Sequence, residues 1–184
     1  SLNQAVAGTG TFTLDGALTA TNGVVTINAN AVDLDANIEA QGAGEAVSIT
    51  GATDLGGDIT TNNGAVTFNS AVDLTDAART ITTGAAAGTI TFANTLNGAQ
   101  DLTLTAGTGN IDFDGIVGGT ADLGAVKINA AAAVTIDQAF DAASLNQAVA
   151  GTGTFTLDGA LTATNGVVTI NANAVDLDAN IEAQ

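Results

Sequence analysis

Apolar residues in this chain come in pairs separated by one residue, and the pairs return at nearly regular intervals. They are Val25/Ile27, Val47/Ile49, Val66/Phe68, Ile90/Phe92, Ile111/Phe113 and Val134/Ile136. From Ile27 onward the second members follow at 22, 19, 24, 21 and 23 residues. In a strand successive side chains point to opposite faces, so each pair puts two apolar groups on one side. A second apolar position follows each pair, at Leu34, Leu55, Leu74, Leu96, Val117 and Phe140. A third short strand is readable at Ile38, Ile59, Ile81, Leu102/Leu104 and Val126/Ile128. Two or three short strands in about 20 residues cannot bury an apolar face alone. Stacked on their neighbours they form a continuous interior.

The predicted fold is therefore all-β, a parallel β-helix or β-solenoid of about 20 residues per coil. Ile27, Ile49, Phe68, Phe92, Phe113 and Ile136 form its expected core ladder. The turns between strands are rich in Gly, Asn and Asp (TNNGA, GAAAG, AGTGN, IVGGT), which tolerate tight and left-handed backbone. One stretch breaks the register. TFTLDGALTATNG at residues 11–23 places Phe12 only 13 residues before Val25. The alternative architecture is an array of β-sandwich domains, which would also show short alternating strands. Against it stand the absence of Pro and of regularly spaced hairpin turns. Helix is disfavoured because Thr, Gly and Asn interrupt every window.

A longer period lies over the short one. Residues 144–184 repeat residues 1–41 without a substitution. The chain is thus one complete unit, 1–143, followed by the start of an identical unit, 144–184. A fold tolerates many sequences, so an identical stretch of this length reflects recent duplication or recombination. The unit should hold six or seven coils, and seven would advance it by about 34 Å. Ser1 follows no basic-then-apolar leader, so it reads as a cut point in a longer array.

Composition limits the chemistry. Nineteen acidic residues face one Arg and one Lys, for a net charge of −17. Of these, 15 acidic and both basic residues lie in 1–143, a net of −13 per unit. Such a surface does not suit nucleic acid, whose phosphates require Lys and Arg. No apolar run approaches the length of a transmembrane helix, so membrane insertion is not expected. With no His and no Cys, nucleophilic triads and ordinary zinc sites are ruled out. Lys127 stands in AVKIN, without the glycines of a phosphate loop.

Paired carboxylates remain. Asp33, Asp35 and Asn37 in VDLDAN form a candidate divalent-cation site, and Asp112/Asp114 repeat the spacing in NIDFDG. The D-x-D-x-N string begins like an EF-hand loop. It then departs, with Ile38 where Gly is required and Gly44 where the bidentate Glu belongs. Residues 118–126, GGTADLGAV, also fail the calcium β-roll order. A solvated acidic face is the plainer reading, with no cofactor beyond calcium held non-specifically. A polysaccharide-active β-helix enzyme is the remote alternative, since two carboxylates can cleave glycosides. Thr-x-Thr pairs, among them Thr11/Thr13, Thr19/Thr21, Thr80/Thr82, Thr89/Thr91 and Thr103/Thr105, read as ordinary exposed strand positions scattered over different strands.

The runs VTFNSAVDL, ITFANTLNGAQDLTLTAGTGNIDFDG and VTIDQAFDAASLNQ resemble the strand repeats of large surface and secreted proteins of Gram-negative bacteria. These are the filamentous-haemagglutinin-like adhesins exported by two-partner secretion and the giant repeat fibre proteins. The resemblance implies a right-handed parallel β-helix, an extracellular or cell-surface location, and a role in adhesion, biofilm matrix or fibre formation. It implies no catalytic residues. Partners would be further copies of the chain, joined end to end with lateral bundling; no receptor is indicated. Repeats of that group diverge, whereas this one is homogenised, which favours a structural role.

Overall fold

The computed structural model describes residues 1–4, 8–149 and 151–184. It is an all-β solenoid of about eight turns, and none of its described residues is helical. Every strand pairing among them is parallel. A sandwich would pair neighbours antiparallel through hairpins, so that alternative is excluded.

Three columns of stacked strands give the solenoid three faces. On the first face Leu2, Val25, Val47, Val66, Ile90, Ile111, Val134, Phe155 and Val175 lie in register, one per coil. On the second the column is Phe12, Val32, Thr53, Val72, Leu96, Val117, Phe140, Leu161 and Ile181. On the third, Leu18, Ile38, Ile59 and Ile81 lead to Leu104 and Ile128. Beside the last of these, Val126 pairs Leu145, which pairs Val168. The three apolar columns read from the sequence correspond to these faces. The awkward segment is also placed: Thr11–Leu14 belongs to the second face, not the first.

The interior is built from these columns. The predicted ladder runs Ile27, Ile49, Phe68, Phe92, Phe113, Ile136, each paired with the next and none more than 1% exposed. Phe68, Phe92 and Phe113 stack with ring centroids 5.2 and 5.5 Å apart and planes 3° from parallel. Phe140 on the second face closes the row edge-on, 5.3 Å from Phe113 at 84°. Such aromatic pairs contribute about 0.5–1.5 kcal/mol each beyond area burial.

Three threonine hydroxyls enter the interior where a backbone partner awaits them. The Thr61 and Thr83 hydroxyls, buried on the third face, donate to the carbonyls of Gly64 and Gly88. Thr53 donates to Gly51 O at 2.9 Å. These contacts remove the cost of a buried, unpaired hydroxyl. The corners are where coils approach most closely. Gly118 has φ +76, and a Cβ there would lie 2.1 Å from the carbonyl oxygen of Asp141 on the next coil. Only glycine meets both conditions.

Candidate functional site

The chemistry-bearing residues point outward, and stacking turns their sequence positions into rows. On the second face Asp33, Asp54 and Asp73 pair directly on three successive coils. Asp54 and Asp73 are exposed and Asp33 is half-buried. Strand spacing puts such neighbours about 4.8 Å apart, so the row is a line of like charges. On the first face the outward column reads Thr26, Ser48, Thr67, Thr91, Asp112, Thr135, Thr156, Asp176. Beside it, Asp114, Asp137, Asp158 and Asp178 follow the strand ends on four successive coils. Each amide donates to the interior strand residue of the coil before, at 2.9–3.0 Å.

The crowding perturbs two carboxyls. Asp112 is pushed above the usual carboxylate range, first by partial burial and next by the charge of Asp114. Asp137 adds to this, and a hydrogen bond with Thr135 partly offsets it. Asp35 is raised chiefly by the charge of Asp33, with Asp76 and Asp15 contributing.

The three residues proposed from sequence as a cation site do not share one strand face. Asp33 lies within the strand Val25–Leu34, whereas Asp35 follows its end in the turn. The Asn37 carbonyl oxygen is engaged elsewhere: its Oδ1 accepts the Asp58 amide of the following coil at 2.9 Å. Among the described residues no group of three or more His, Cys, Asp or Glu is arranged to hold a metal ion.

The Asn37 contact belongs to a device that sequence reading missed. Asp58 Oδ1 accepts the Thr80 amide at 2.8 Å, and Asp101 Oδ1 accepts the Ala125 amide at 2.7 Å. Asn63 Oδ1 takes the Ala86 amide at 2.9 Å, and Asn97 Oδ1 the Thr120 amide at 3.0 Å. Each partner lies one coil ahead. At corners, where the strand ladder lapses, short Asx side chains supply the missing acceptor. The recurrence of Asn or Asp just before Ile38, Ile59 and Leu102 was the available signal. Several residues that look like ligands are therefore coil-to-coil staples.

Two of the Thr-x-Thr pairs do come together, contrary to their expected scatter. Thr80 pairs Thr103, and Thr82 pairs Thr105, on adjacent coils of the third face. The third face also carries two open grooves, of about 360 and 460 Å³. Glu39 is the only ionisable residue lining the first, and none lines the second. Neither assembles an acid–base pair. Of the two cations, Arg79 is held to the carbonyl oxygens of Ala77 and Gly56, and Lys127 projects from the third face, exposed. No helix among the described residues is long and apolar enough to cross a membrane.

No protein-family model, curated protein or solved structure matches the chain.

Proposed function

We propose that the chain is part of an extracellular or cell-surface filament or adhesin, built from tandem identical solenoid units and serving attachment, matrix or fibre formation. The observation that carries this reading is the junction between units. Residues 143 and 144 both lie within one strand, Phe140–Gln147, which pairs with strands on either side. The second unit thus begins inside the ladder of the first and does not follow as a separate bead. A rod that continues through its own repeats can lengthen without a new interface. The likeness of its strand repeats to filamentous-haemagglutinin-like adhesins and giant fibre proteins supports the same role and location. The reading assigns no catalytic activity, and neither groove on the third face is lined by a pair of carboxylates.

Electron microscopy of tandem arrays tests it. Unbranched rods with a 4.8 Å axial spacing are expected. Separate globules, or beads at a much longer spacing, would refute it.

A second reading, a cation-binding surface module, is favoured by the in-register row Asp33–Asp54–Asp73. A unit of −13 spread over the roughly 34 Å of seven coils carries about one net charge per 2.6 Å. Duplex DNA, at about 1.7 Å per charge, condenses counterions. Calcium held in this way would be diffuse and non-stoichiometric. Calorimetric titration separates the cases: saturable heat at a fixed ratio marks sites, and a weak, salt-suppressed signal marks an ion atmosphere.

A further inference from the structure

The two copies of the 41-residue sequence do not occupy equivalent places. In the first copy Leu2 and Val25 lie on the first face, Phe12 and Val32 on the second, and Leu18 and Ile38 on the third. In the second copy the same residues are Leu145/Val168, Phe155/Val175 and Leu161/Ile181. They lie on the third, first and second faces respectively. The residue pairings inside each copy are the same, while the face and the strand boundaries have changed. From Leu2 to Val134 the first-face column makes six turns. The chain then passes Phe140 on the second face and reaches Leu145 on the third. The unit therefore spans six turns and two thirds of a seventh, between the six and seven read from sequence.

The first copy shows what covers these side chains where another coil follows. Val25, Val32, Leu34 and Ile38 are 0–1% exposed, beneath Val47, Thr53, Leu55 and Ile59 of the next coil. Their copies are Val168, Val175, Leu177 and Ile181. Val175 and Leu177 are 50% and 48% exposed, and Val168 and Ile181 are half-buried. These copies lack a following coil, and the strand that is continuous over Val25–Leu34 is interrupted in its copy between Thr169 and Ala174. The segment that fits is the one that covers them in the first copy.

We propose that in a tandem array the second unit's own copy of residues 42–62 covers this coil, as it does in the first unit, and that each successive unit is set back by one face. This rests on the array reading given above. Three units, 3 × 143 = 429 residues, then complete twenty turns and restore the pattern after about 96 Å. Each feature of the unit is shown on all three sides of the rod in turn. The chain already displays one step: Asp33 belongs to the second-face row, and its copy Asp176 stands on the first face. Charge is thereby distributed around the rod, and a second rod approaching from any side meets the same surface at a different height.

The phase is testable on the 184-residue chain, which has no native cysteine. Thr135 and Thr156 are direct neighbours on the first face, so a Thr135→Cys/Thr156→Cys variant is expected to close a disulfide under mild oxidation. If units repeated face for face, Thr156 would sit on the second face as Thr13 does, near Asp141. An Asp141→Cys/Thr156→Cys variant would then close instead. Thr67→Cys/Thr91→Cys, paired well inside the first unit, is the control. Closure of the Asp141 pair, or of neither pair while the control closes, overturns the proposal. Helical analysis of tandem arrays should give a rotation of one third of a turn per rise of about 32 Å. Rods with no rotation would overturn the phase while leaving the filament intact, and beads would refute the array itself.

Discussion

Side chains in this solenoid act through stacking, so the cost of losing one depends on the coils above and below. Phe92 sits between Phe68 and Phe113 in a parallel stack. Phe92→Ala opens a cavity that two rigid rings cannot fill, and is expected to cost about 3–5 kcal/mol, read from denaturant unfolding. Phe92→Asp should remove the cooperative transition altogether, because it buries a charge without a partner. Outward residues matter through their staples. Asp101 holds the Ala125 amide of the following coil. Asp101→Ala should destabilise by about 1–2 kcal/mol, whereas Asp101→Asn keeps an acceptor oxygen and should recover most of the loss. Equal destabilisation by both would show that the charge, not the hydrogen bond, is what counts.

At the scale of the strand and its corner, the columns were legible and the phase was not. Alternating pairs such as Ile90/Phe92 identify a strand and its buried face from local pattern alone. The side of the solenoid on which a strand lies is a running total over all preceding corners. Those corners vary: the interval from Val47 to Val66 is 19 residues, and from Val66 to Ile90 it is 24. The 13 residues between Phe12 and Val25 recorded a crossing from the second face to the first, not an irregular coil. Paired carboxylates were legible as acidic surface. The Asn37 staple was not, because its partner Asp58 lies a coil away. Corners also carry the strictest steric demand. Gly118→Val places a branched side chain against the Asp141 carbonyl in a left-handed conformation. It is expected to lower the melting temperature by several degrees, more than Gly10→Val, where nothing lies within 4 Å of the added Cβ. Similar losses at both positions would mean that the corner approach is not limiting.

For the molecule as a whole, the acidic rows oppose the stacking that creates them. Each coil added to the rod brings another carboxylate beside those already there, as Asp112, Asp114 and Asp137 illustrate. A carboxyl raised in the folded state binds its proton more tightly there than in the unfolded chain. Between the ordinary carboxylate range and the raised value, the folded state then holds more protons, so stability falls as pH rises through that window. Asp112 and Asp35 both shift in this direction, and the net charge of −17 adds general self-repulsion. The melting temperature is therefore expected to increase as pH is lowered from 7 toward 4, contrary to the usual acid destabilisation of domains whose carboxylates are paired. Asp112→Asn should raise the melting temperature at pH 7 and flatten the profile, since the substituted side chain no longer loses a proton. Added salt should have a similar effect by screening the rows. Calorimetric scans across pH at low and high ionic strength check all three. A melting temperature that falls steadily on acidification would show that repulsion along the rows does not govern the pH dependence of the fold.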